Sequence, residues 1–218
     1  MAGRGGLNDV SELMHPQVSM FRESGWTTAV EPLHTDKPEN AGIGLGMSFA
    51  VELIERAELA PIGLVPCAFG GTSLSRWMPM SDLYENAVSI AKTAMEKGDL
   101  TGILWHQGES DSDNYDDAVS YGERFQDMIC SLRSELSAER VPVIAGGLGD
   151  FLRNREDSEF FELVNQQLRD LESTLPGYAY VSADKLHDRG DFLHFSPASL
   201  REFGLRYARR FLDLNKRK

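Results

Sequence analysis

Asp191 and His194 stand three residues apart in the segment DRGDFLHFSP. At that spacing one loop can hold an imidazole and turn a carboxylate onto its Nδ1, the pairing of base and orienting acid in a hydrolytic triad. Asp184 and His187 repeat the spacing just upstream. The later pair is preferred because it sits at the mouth of a capped helix, whereas Asp184 reads as the end of a strand. A second polar group follows an apolar run in WHQGESD, Trp105 to Asp111, where Gly108 allows a tight turn and Gln107 offers an uncharged amide. An amide N–H suits a developing oxyanion, although a lone Gln in a polar loop is more often just solvated. His106 has no nearby His or Cys to complete a metal site, so no metal is expected. In CAFGGTSLSRW, Cys67 to Trp77, the paired Gly70 and Gly71 let backbone N–H groups face a cleft with no Cβ in the way. The Lys and the longer Gly spacing of a phosphate loop are missing from it. Ser73, Ser75 and Cys67 are conceivable nucleophiles, yet none lies in a G-x-S-x-G elbow. Trp77 reads as a sugar-stacking wall or as core. These parts amount to a base with its acid and a set of oxyanion donors, without a convincing serine to activate.

Such groups need a scaffold, and the periodicity after residue 40 supplies one. A helix is predicted from Gly46 to Leu59, followed at once by the strand PIGLVPCA. DLYENAVSIAKTAMEKG reads as a helix closed by Gly98, LTGILWHQ as a buried strand, SYGERFQDMICSLRSEL as a helix and VPVIAGGLG as a strand. A helix from Ser158 to Leu175 leads into the strand GYAYVSAD, and SPASLREFGLRYARRFLDL ends the pattern as an amphipathic helix with Ser196 as N-cap and Pro197 at its first position. Alternating strands and helices predict an α/β sandwich around a mostly parallel sheet. The working residues of such sheets gather at the C-terminal strand ends, so CAFGGTS, HQGESD, GGLGD and ADKLHDRGDFLH are expected on one rim. Residues 1 to 42 read as an irregular excursion.

At 218 residues the chain suits one domain, 1–218, with a proper core. Its 34 acidic against 22 basic residues give a net charge of -12. A nucleic acid or an anionic membrane would require a basic surface, so neither is an expected partner, and small-molecule or sugar substrates fit better. Two cysteines, Cys67 and Cys130, make no disulfide framework. No apolar stretch approaches the roughly 18 to 20 residues that span a bilayer. If Met1 is the true start, the cytoplasm is the expected compartment; if residues precede it, a signal peptide stays open.

Together, MAGRGG, EPLH, GIGLGMSFA, IGLVPCAFGGTSL, WHQGESD and DFLH resemble the SGNH-hydrolase superfamily. Within it they are most similar to carbohydrate esterase family 6 and sialate O-acetylesterase-like domains of the plant type, over nearly the whole chain. The resemblance implies a flavodoxin-like fold and a carbohydrate O-acetylesterase that needs no cofactor. It implies His194 as base, Asp191 as orienting acid, Gln107 as side-chain oxyanion donor and a backbone N–H of the Gly70/Gly71 turn as a second donor. Arg4 and Glu109 match motif positions and are expected to pair as a brace, with Trp26 and Trp77 as candidates for the pocket wall. In that family the first strand ends in a G-Q-S-N-M-A-G-R-G block whose Ser is the nucleophile. Here the match begins at Met1, so the resemblance implies a chain that lacks that strand and its serine and is inactive as it stands. Two alternatives stay open, a non-catalytic or sugar-binding relative and a hydrolase that uses Ser73 or Cys67.

Overall fold

Val18 and Met20 are buried in VSMFR and alternate with half-buried neighbours, the period-two pattern of a strand with one face on a core. A computed structural model describes residues 2–22 and 25–216, and in it this strand, β1 (Val18–Arg22), pairs antiparallel with β2 (Gly25–Thr28). Both lie inside the stretch read from sequence as irregular, and that reading is corrected. Each strand is too short, and too mixed with polar residues, to stand out as a run. The other edge of β1 pairs parallel with β3 (Ile62–Leu64), in the register Val18 to Ile62. Helix α1 (Gly46–Ala57) precedes β3 and stops two residues before Leu59, where Glu58 takes a left-handed backbone with φ 53°. Val18, Met20, Ala29, Leu33, Met47, Ala50 and Val51 make the core here.

Residues up to Gly70, together with those from Lys185 onward, form one compact unit, and Gly71–Asp184 form the other. The last helix of the first unit, α6 (Pro197–Lys216), packs on α1, with the Phe49 and Phe211 rings edge to face at 5.8 Å. Ser196 caps it as expected, its Oγ accepting the Ser199 N–H at 3.3 Å.

The second unit holds a parallel sheet in the order β4 (Ile103–Trp105), β5 (Val143–Gly146), β6 (Tyr178–Val181). Central β5 is buried along its whole length, which its unbroken apolar sequence anticipates. Helices α2 (Asp82–Ala94), α4 (Tyr121–Glu135) and α5 (Phe161–Asp170) fall within the predicted spans. The short α3 (Tyr115–Val119) was not foreseen; Asn114 caps it, its side chain accepting from the Asp116 and Asp117 N–H groups. Parallel strands linked through helices make the fold α/β. Phe125 is the hub of an aromatic core with Trp105, Tyr121 and Tyr178, each ring centroid within 6.2 Å of it.

Candidate active site

The Asp191/His194 loop is a tight hairpin closed by an antiparallel bridge between Asp188 and Phe195 and by the Arg189 N–H donated to the His194 carbonyl at 2.9 Å. Asp188 Oδ2 accepts the N–H groups of Gly190 and Phe192, both at 2.8 Å, and this curls the chain through positive φ at both residues. Asp191 Oδ1 takes the backbone N–H groups of Leu193 (3.0 Å) and His194 (2.8 Å), which leaves Oδ2 facing His194 Nδ1 at 2.7 Å. Burial pushes the Asp191 carboxyl up, but the His194 N–H and ring, the Leu193 N–H and Arg189 outweigh it and hold the group well below the usual carboxylate range. An ionised carboxylate only accepts, so Nδ1 carries the imidazole proton and Nε2 is left with its lone pair. His187 is held by its backbone, its N–H to Ser199 Oγ at 2.8 Å and its carbonyl to the Ser196 N–H at 2.9 Å.

Arg4 does not pair with Glu109, and that expectation is corrected. Its guanidinium donates to Asp36 Oδ2 at 2.6 Å, with both side chains buried. The same oxygen accepts the Gly70 N–H at 2.9 Å. A Cβ at position 70 would lie 2.5 Å from Arg4 Nη2, so a larger residue there would push the guanidinium aside. Beside this cluster burial drives the His34 imidazole down to about 3, with Arg4 and Arg22 adding to the effect and Asp36 opposing it, so His34 is neutral at physiological pH. Glu109 lies 3.4 Å from His106 Nε2. Burial would raise its carboxyl, yet the bond to His106 brings it well below its ordinary value.

Gln107 is held from three sides. Its Nε2 donates to the Thr72 carbonyl at 2.9 Å and to Asp111 Oδ2 at 2.6 Å. The Tyr121 hydroxyl lies 2.8 Å from the Gln107 carbonyl and 2.9 Å from Oε1, which fixes the orientation of the amide. Asp111 is fully buried; it also accepts the Leu74 N–H and a bond from Arg124 at 3.2 Å. Burial pushes the Asp111 carboxyl up against the pull of Gln107, Leu74 and Arg124. The loops after β3 and β4 are thereby tied together through Thr72, Leu74, Gln107 and Asp111. Of the expected donors, Gln107 and the Gly70 N–H have acceptors within the protein, and Gly71, at φ 71°, is an exposed residue. Asp36, Asp111, Tyr121 and Arg189 were not picked out from sequence. Asp111 was within reach, standing four residues after Gln107 in the same quoted segment.

The rival nucleophiles fare poorly. Ser73 Oγ is bonded to Ser75 Oγ at 2.6 Å. Burial pushes the Cys67 thiol up to about 11, the wrong direction for a nucleophile. The two tryptophans expected at the pocket wall are placed differently. Trp77 is buried, donates to Thr72 Oγ1 at 3.0 Å and packs edge-on against Trp105, which makes it core. Trp26 meets Phe21 edge to face at 5.3 Å and lies over Gly63 of β3. Phe192, nearly half exposed and two residues from His194, is the open aromatic ring of the loop. Among the described residues no group of three or more His, Cys, Asp or Glu is placed to hold a metal ion, and no helix is long and apolar enough to cross a membrane.

Residues 1–213 match the family described as carbohydrate esterase, sialic acid-specific acetylesterase. The chain belongs to this family. By membership it is a carboxylic ester hydrolase of the acetylesterase class. It is 34% identical over 210 residues to a probable carbohydrate esterase of Arabidopsis thaliana, covering 91% of this chain and 76% of that one. The solved structure of that Arabidopsis protein superposes with a TM-score of 0.88 at 30% identity, over 98% of this chain and 93% of that one. Two more distant structures share the fold. NanS gives a TM-score of 0.77 at 18% identity, covering 100% of this chain and 94% of that one. A carbohydrate acetylesterase from Xanthomonas citri gives 0.71 at 21% identity, covering 94% of this chain and 50% of that one.

Proposed function

We propose that the chain is the base-bearing part of an esterase that removes O-acetyl groups from carbohydrates, sialic acids included, with a serine nucleophile outside residues 1–218. The observation that carries this reading is the Asp191–His194 pair, whose Nδ1 is fixed at 2.7 Å while Nε2 is left for chemistry. In the proposed reaction Nε2 takes the serine hydroxyl proton as the serine oxygen attacks the acetyl carbonyl. The sugar oxygen then leaves with that proton, and water releases acetate by the same route in reverse. The resemblance supplies the oxyanion donors, Gln107 and a backbone N–H of the Gly70/Gly71 turn. Phe192 offers an apolar face to the sugar ring.

Placing the serine upstream draws support from two features, neither of which is the position of residue 1. MAGRG matches the residues that follow the serine in the family block. In addition, among the described residues β3 is paired with β1 and β4 with β5, each standing last or first in the strand order of its own sheet.

The test adds an apolar strand ending in G-Q-S-N ahead of Met1 and measures acetate release from p-nitrophenyl acetate and acetylated sugars. Activity should appear with that serine and vanish when it is Ala. His194→Ala should cost several orders of magnitude and His187→Ala little, while Gln107→Ala should lower kcat by about 10² to 10³ with little change in KM. His194-dependent turnover by residues 1–218 alone would overturn the placement of the nucleophile.

A further inference from the structure

Asp191 Oδ2 serves two donors. Besides His194 Nδ1 at 2.7 Å it accepts Arg189 Nε at 2.8 Å. With the two backbone N–H groups on Oδ1, the carboxylate has a donor for each of the roughly four lone-pair positions available to it. One of the four is a permanent cation. Arg189 is also kept from swinging away, because its Nη1 donates to the Arg4 carbonyl at 2.7 Å. We infer that Arg189 is a positioning residue that sets the basicity of His194 through Asp191.

The sign follows from the charges. Asp191 favours the imidazolium, and a guanidinium on the same oxygen opposes it, so loss of the guanidinium should strengthen the hold of Asp191 on the imidazolium. Of the other charged groups near it, three are engaged elsewhere. Asp188 is turned to the Gly190 and Phe192 N–H groups. Arg4 and Asp36 satisfy each other, and His34 beside them is neutral. Arg189 is therefore the cation whose removal acts on His194 through Asp191 alone and leaves the Arg4–Asp36 pair in place.

The inference rests on the reading of His194 as base only for its catalytic meaning; the measurement does not. The pH midpoint of the His194 Cε1–H signal is followed by NMR in residues 1–218, with His194→Ala for assignment. Sharing one oxygen at these distances puts the two charges about 5 Å apart, and solvent screens a pair this exposed, so Arg189→Gln should raise the midpoint by about 0.5 to 1 pH unit. Arg189→Lys, which keeps the cation, should leave it near the wild-type value. In the wild-type chain the Arg189 Nε–H resonance should shift with the same midpoint as His194, a readout that needs no variant to fold. A midpoint unmoved or lowered in Arg189→Gln, or an Nε–H signal flat through the His194 titration, would overturn the inference. In a chain that carries the serine, the acid limb of kcat/KM should move with the NMR midpoint. A limb that stays still while the midpoint moves counts against His194 as base and leaves the Arg189 effect standing.

Discussion

Replacing Asp36 tests the cluster that fixes the Gly70 turn. Its carboxylate is buried and joins Arg4 at 2.6 Å and the Gly70 N–H at 2.9 Å through one oxygen. Asp36→Ala strands the Arg4 guanidinium in a site where it is 7% exposed. Removing one partner of a buried ion pair costs about 3 to 5 kcal/mol, a large part of the roughly 5 to 15 kcal/mol that holds a domain together. Asp36→Asn keeps an oxygen for both donors and loses only the charge, so its cost should be nearer 1 to 2 kcal/mol, about the difference between charged and neutral hydrogen bonds. Adding Arg4→Met to Asp36→Ala should recover part of the loss by removing the stranded cation. The pH dependence has a defined sign. Burial alone would raise the Asp36 carboxyl, but Arg4 and Gly70 bring it below its ordinary 3.8. A folded value below the unfolded one gives stability that is present above the unfolded value and lost as the pH falls through the folded one. The gap between wild type and Asp36→Ala should therefore be widest near neutrality and narrow below about pH 4. Urea unfolding followed by far-UV circular dichroism at pH 7 and pH 3 measures it. A gap under about 1 kcal/mol at pH 7, or one that does not narrow at pH 3, would refute the buried-pair argument.

Gly63→Ala should destabilise by about 1 to 3 kcal/mol, because a Cβ on β3 would sit 2.4 Å from the Trp26 ring; a urea midpoint equal to wild type would show that the ring moves aside freely. With a thiol reagent at pH 8, Cys130, which is exposed, should react at once, and Cys67, half-buried and with its thiol pushed up to about 11, far more slowly. Two fast thiols in the native chain would return Cys67 to the candidate nucleophiles.

What could be read from the sequence follows the distance over which each contact is made. The Asp191–His194 pair was visible because its partners are three residues apart and one turn of chain brings them together. The strands β4, β5 and β6 and most of the helices were visible for the same reason, since period and caps are local properties. Arg4 and Glu109 were expected to pair with each other, and the partner that Arg4 takes was not legible. Arg4 finds Asp36, 32 residues away, through the Gly70 turn, and nothing in the spacing of either segment encodes that choice. Trp77 shows a related difficulty, because residue type gives the size of an indole and not the side it faces; the Thr72 hydroxyl and Trp105 decide that.

Arg189 falls between these cases. Its contact with Asp191 spans two residues and is as local as the His194 pair, yet an Arg in a polar loop reads as a solvated side chain. What separates it from an ordinary surface ion pair, usually worth little, is the second hydrogen bond to the Arg4 carbonyl, 185 residues away in the chain. That bond removes the freedom that would let water replace the guanidinium on Asp191. It also joins the Asp191–His194 loop to the N-terminal segment, so a change at either Arg4 or Arg189 should be felt by the Asp191 carboxylate. Local spacing could name the Asp191–His194 pair; the cation beside it is held by a contact that only the folded chain makes.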